Sequence, residues 1–99
     1  MRYNPPRMST ERRTILFTGH VQGVGFRMTT AALARDLPLA GTVRNTADYS
    51  VELIVEGPPE QIDQLLTRLR EHFGSFIRSI TQTNAPPSGT LSPGIHITH

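Results

Sequence analysis

The chain has 99 residues, 36% of them apolar and 18% charged, with no cysteine and a formal charge of +2. That length fits one domain around a single core and is too short for a cofactor domain beside a substrate domain. Disulfides, thiolate nucleophiles and cysteine-ligated zinc are excluded, and no apolar run approaches the roughly 20 residues of a membrane span.

The N-terminus lacks the apolar core of a secretory signal, so a cytoplasmic protein with no membrane partner is expected. All ten basic residues are arginine, which removes lysine Schiff bases and a P-loop lysine from consideration. A net +3 falls within the first thirteen residues and −1 on the remainder. The body therefore offers no broad positive field, and no nucleic-acid partner is expected.

Residues 1–13, MRYNPPRMSTERR, are polar and aperiodic and are predicted to form a flexible arm, leaving 14–99 as the folded domain. TILFTGHV, Thr14 to Val21, has the β-branched and aromatic content of a strand. From Phe26, FRMTTAALARDL places Phe26, Thr30, Leu33, Ala34 and Leu37 on one side of a helix of about three turns, closed by Pro38. LAGTVRN and YSVELIVEG read as two strands joined by a turn at Thr46 to Asp48, with Val51, Leu53 and Val55 on one face and Glu52 and Glu56 on the other. PPEQIDQLLTRLREHFG carries Ile62, Leu65, Leu66, Leu69 and Phe73 at helical spacing between Pro59 and Gly74. SFIRSITQT reads as a fourth strand, NAPPSGTLSPG as a loop and IHITH as a short extra strand.

This order predicts an α+β fold, a ferredoxin-like βαββαβ sandwich with an antiparallel sheet and both helices on one face.

The junction GHVQGVGFR, Gly19 to Arg27, is the segment most loaded with chemistry. It has no P-loop lysine, and Met28 stands where a dinucleotide fingerprint needs its third glycine. What remains is a glycine-rich bend at a helix N-terminus, where converging amides and the helix dipole favour an anion. Arg27 in the first helical turn is locally unfavourable by roughly a few tenths of a kcal/mol, a cost that a bound anion would offset. The plainer alternative is a tight strand-to-helix turn with Arg27 in solvent. Asn45, at the end of the second strand, either caps its own turn or falls near this bend. His20 reads as a strand-end side chain rather than a base, and His72, His96 and His99 lack ligand spacing, so no metal is expected.

GHVQGVGFR, then GTVRN with Asn45 eighteen positions after Arg27, then VELIVEG, resemble the acylphosphatase family over about Thr14 to His99. The resemblance implies the ferredoxin-like fold and a cofactor-free hydrolase, acting on a small-molecule acyl phosphate. It further implies a phosphate cradle from the amides of Gln22, Gly23, Val24, Gly25, Phe26 and Arg27. Arg27 would grip the phosphoryl oxygens and Asn45 would hold the attacking water. Thr42, Pro38 and Tyr49 depart from the family's usual pattern, Tyr49 standing where an Asp-Gly turn is usual. A monomer is the default expectation. A non-catalytic module binding phosphate or carbamoyl phosphate is the alternative. RNA binding on the open sheet face is disfavoured by Glu52 and Glu56 there.

Overall fold

The computed structural model describes residues 10–99. Its elements are β1 (Glu11–Gly19), α1 (Phe26–Leu33), β2 (Ala40–Asn45), β3 (Val51–Gly57), α2 (Pro59–Phe73), a single 3₁₀ turn (Gly74–Phe76), β4 (Ile77–Ala85) and β5 (Gly94–Thr98). The strands form one sheet in the order β4-β1-β3-β2-β5. The first four pair antiparallel, as the βαββαβ order requires, whereas β5 runs parallel to β2. The sheet is thus mixed rather than wholly antiparallel. Ala85, Arg12, Glu56, Ala40 and Gly94 form one row across it, so β4 ends where β2 begins. The 86–93 connection crosses that end and sends the chain into β5 in the direction of β2.

β1 starts earlier than the expected domain boundary at residue 14, because Glu11, Arg12 and Arg13 pair with both neighbouring strands or with β3. Arg13 is buried, donating to Asp63 (2.7 Å) and Gln82 (3.0 Å) and pairing with Glu11, and so ties β1 to α2 and β4. Its charge belongs to the fold rather than to an arm. The rest of the expected arm, 1–9, lies outside the described residues.

Alternation does the rest of the work in the sheet. Ile15, Phe17, Val43, Val51, Leu53 and Val55 are buried on one face, against Ile62, Leu65, Leu66, Leu69 and Phe73 of α2 and Phe26, Thr30 and Ala34. Phe26 packs between Phe17, at a centroid distance of 4.9 Å, and Phe73, stacked at 4.5 Å. The first residue of α1 is thereby anchored in the core, which fixes the bend that precedes it.

α1 is shorter than the expected three turns. After Leu33 the chain tightens into i→i+3 bonds, Arg35 N–H to Ala32 O and Leu37 N–H to Ala34 O, as Pro38 draws Leu37 out of helical conformation. Arg68 of α2 caps the freed end, donating to Leu33 O and forming an ion pair with Asp36.

At the opposite sheet face Glu56 holds the 86–93 connection. Its carboxylate accepts from the Ser88 amide (2.9 Å), the Ser88 hydroxyl (2.7 Å) and the Gly89 amide (3.1 Å), with Arg12 nearby at 3.7 Å. Burial by itself would raise this carboxyl, but the Ser88 and Gly89 hydrogen bonds and the Arg12 charge outweigh it and hold it below the ordinary glutamate value. A depressed folded-state value stabilises the fold above the unfolded-state pKa, and that contribution disappears as pH falls through the folded one. Parent protein should therefore melt higher than Glu56→Gln near neutral pH. The gap should close in acid below the usual carboxylate range, as read by thermal melts across pH.

Candidate functional site

The end of the sheet away from Glu56 gathers the end of β1, the end of β2 and the end of β5. β1 leaves the sheet through a register shift at Thr18 and Gly19. Gly19 has φ 121°, and a Cβ there would lie 2.3 Å from the Phe76 carbonyl oxygen, which also accepts the His20 amide at 2.8 Å. Only glycine lets the strand pass so close to the 3₁₀ turn and bend away. His20 lies beside Phe76, with centroids 5.1 Å apart, consistent with a packed strand-end side chain.

The chain then curves through Gln22–Gly25 into α1. Gly23 and Gly25 both have φ 77°, with open space where a Cβ would stand. Their requirement is conformational: the chain bends through a left-handed backbone at both positions, which glycine adopts without strain. Gly25 is the helix N-cap, without a side-chain cap and without an acidic residue in the first turn. The orphan amides of that turn thus have no capping side chain among the described residues.

A cleft of about 190 Å³ opens over this bend. Gly23, Gly25, Phe26, Arg27 and Asn45 line it, together with Val21, Met28, Ile97 and His99. No aspartate or glutamate is among these residues. Arg27 makes no ion pair among the described residues, in contrast to Arg12, Arg13, Arg44 and Arg68. The structure therefore brings Arg27 and Asn45, far apart in sequence, to one cleft with the glycine bend. Val24 does not line it and packs instead against the hydrophobic core. Arg44, beside Asn45, is exposed and pairs with Glu52 at 2.8 Å.

Gln22 contributes something its amide alone would not. Its side-chain Nε2 donates to the carbonyls of Thr46 (3.0 Å) and Ser50 (2.8 Å), the two residues that flank the β2–β3 turn. One carboxamide thus couples the glycine bend to the turn immediately following Asn45. The sequence pointed to Gln22 through the backbone only, and nothing in its spacing reveals this cross-link. Ile97 and His99 were missed too, although IHITH alternates, because the neighbour of β5 depends on how the 86–93 connection travels.

The β2–β3 connection runs from Thr46 to Ser50, somewhat longer than expected, closed by Thr46 N–H to Ser50 O at 2.9 Å and Ser50 N–H to Thr46 Oγ1 at 3.1 Å. Within it Tyr49 has φ 69° and is 77% exposed. An L-residue with a large side chain is strained there by about 1–2 kcal/mol, and its exposed ring gains little packing in return. Tyr49→Gly should accordingly raise stability by about 0.5–1 kcal/mol after glycine's greater unfolded-state freedom is set against the relief. A higher urea midpoint at unchanged slope is the readout.

Among the described residues no three His, Asp or Glu side chains are placed to hold a metal ion, and no helix is long and apolar enough to cross a membrane. The cleft holds instead an anion-directed set: free helix-start amides, one guanidinium and one carboxamide.

Comparison with known proteins points the same way. The acylphosphatase family model matches residues 13–93. An acylphosphatase of Corynebacterium glutamicum is 46% identical over 71 residues, covering 72% of this chain and 76% of that one. One from Koribacter versatilis is 44% identical over 84 residues, covering 84% and 76%. The crystal structure of acylphosphatase from Bacillus subtilis superimposes with a TM-score of 0.80 at 27% identity, covering 90% of this chain and 99% of that one. With the βαββαβ sandwich and the GHVQGVGFR bend, a family match over most of the chain leaves one conclusion: the chain belongs to the acylphosphatase family.

Proposed function

We propose that the protein hydrolyses acyl phosphates to a carboxylate and inorganic phosphate by direct attack of water on phosphorus. The observation that carries this proposal is the shared cleft, in which the start of α1, without a side-chain cap, meets Arg27 and Asn45 and no aspartate or glutamate side chain lines the wall. The amides of Gln22 to Arg27 and the planar guanidinium of Arg27 receive the phosphoryl oxygens. As the bond to the leaving group lengthens, charge on the equatorial oxygens is met by donors already in position. Asn45 cannot act as a base, but its carboxamide oxygen accepts a hydrogen bond from a water and turns a lone pair of that water toward phosphorus in line with the departing oxygen. The phosphoryl oxygens accept the proton the water loses. The expelled carboxylate is the conjugate base of an acid of pKa about 4, so it leaves unprotonated and no general acid is required.

Gln22 serves this arrangement by holding the turn next to Asn45 against the bend. Phe26, buried between Phe17 and Phe73, keeps the first helical turn from moving relative to the sheet. In this reading the protein acts as a cytoplasmic monomer, without a cofactor, on a small-molecule substrate. Phosphate release from benzoyl phosphate by the purified protein tests the proposal. Catalytic turnover supports it, whereas saturable phosphate binding without turnover favours the non-catalytic module.

A further inference from the structure

Beyond the phosphoryl end, the cleft has a second wall made of different material. Of four large apolar side chains exposed among the described residues, two line this cleft: Met28, 72% exposed, and Ile97, 39% exposed. They come from different elements. Met28 follows Arg27 in the first turn of α1, and Ile97 stands on β5, in register with buried Val43 of β2. Val21, buried to 1% exposure, lies behind them on the same cleft. Solvent-facing apolar side chains that converge on a concave polar site are where a ligand's apolar part finds cover.

We infer that Met28 and Ile97 form the acyl subsite and select substrates whose acyl group is apolar and bulky over small acyl groups. This rests on the acyl phosphate hydrolysis proposed above. The anionic end of such a substrate is held by the amides and Arg27, so the acyl group must leave the cleft past whatever borders it. At about 190 Å³ the cleft is well below the roughly 300–1,000 Å³ of drug-sized pockets, which leaves room for a phosphoryl group and the near part of a compact acyl chain but not for a nucleotide. The two flexible or branched apolar side chains on that wall, with no aspartate or glutamate beside them, favour a ring or branched chain lying across Met28 and Ile97. Both are specificity-determining residues, outside the group that touches the reacting phosphorus.

The test compares kcat/KM for benzoyl phosphate and acetyl phosphate in the parent and in the Met28→Ala/Ile97→Ala double variant, with competitive inhibition by inorganic phosphate measured alongside. The ratio of the two kcat/KM values should fall by about tenfold in the variant, the scale of discrimination that a few apolar contacts supply. Phosphate inhibition should keep the parent's constant, since the amides and Arg27 are untouched. An unchanged ratio, or a fall accompanied by lost phosphate inhibition, overturns the inference while leaving hydrolysis itself intact in the parent. A parent that hydrolyses neither substrate would instead refute the underlying activity. Ile97→Ser, which keeps a side chain at the position but removes its apolar surface, should lower the ratio in the same direction, and its failure to do so also counts against the subsite.

Discussion

Arg27→Ala is expected to lower kcat/KM for an acyl phosphate by at least ~10²-fold, with 10³-fold within reach. Arg27 is the one guanidinium lining the cleft, and none of the described carboxylates pairs with it, so no ion pair among the described residues competes for its donors. A planar fork reaching two phosphoryl oxygens contributes to ground-state binding and more strongly to the transition state, where charge on those oxygens grows. Both KM and kcat should therefore worsen, and inhibition by inorganic phosphate should weaken together with them. Arg27→Lys keeps the charge but loses the fork, so it should recover only part of the activity. Steady-state kinetics with a competitive phosphate titration distinguishes these components.

Asn45→Ala should divide differently. In the proposed mechanism its carboxamide holds the water rather than the phosphate, so kcat should fall by about 10²-fold while the phosphate inhibition constant stays close to the parent's. The same asymmetry makes Gln22→Ala informative. Removing its two bonds to Thr46 and Ser50 loosens the turn after Asn45 without touching a reacting group, and its loss should resemble a mild form of Asn45→Ala. If both Asn45→Ala and Arg27→Ala weakened phosphate binding alike, Asn45 would belong to the cradle and not to the water.

The fold was legible wherever one periodicity ruled a whole element. α2 is the clearest instance: Pro59 opens it, Gly74 closes it, and every apolar residue at helical spacing between them is buried. The alternating faces of β3 were equally plain, with Val51, Leu53 and Val55 inside. β1 was misjudged at its start because Glu11, Arg12 and Arg13 carry charge where alternation would call for an apolar residue, and burial of Arg13 depends on Asp63 and Gln82, which no local pattern connects to it. The direction of β5 was hidden for a related reason, since it follows from where β4 ends rather than from anything within IHITH.

At the cleft, a glycine bend leading into a helix start was readable from local chemistry alone, because φ near 77° at Gly23 and Gly25 is what such residues permit. The joining of Asn45 to Arg27 was not: the local pattern favoured a self-capping turn over a place near this bend, and the family resemblance reversed that preference. Tyr49 is the converse case. Its departure from the usual turn glycine was plain in the sequence, and φ 69° shows the chain keeping there the backbone that a glycine would adopt without strain.

The most direct test is a titration of the protein with inorganic phosphate followed by backbone amide NMR. Amides from Gln22 to Arg27, with the Asn45 side-chain amide, should shift together along one binding curve, and Arg27→Ala should weaken that curve while the sheet resonances stay in place. Shifts that instead centre on Ser88 and Gly89 at the far end of the sheet, or a curve indifferent to Arg27, would contradict a phosphoryl site at the glycine bend.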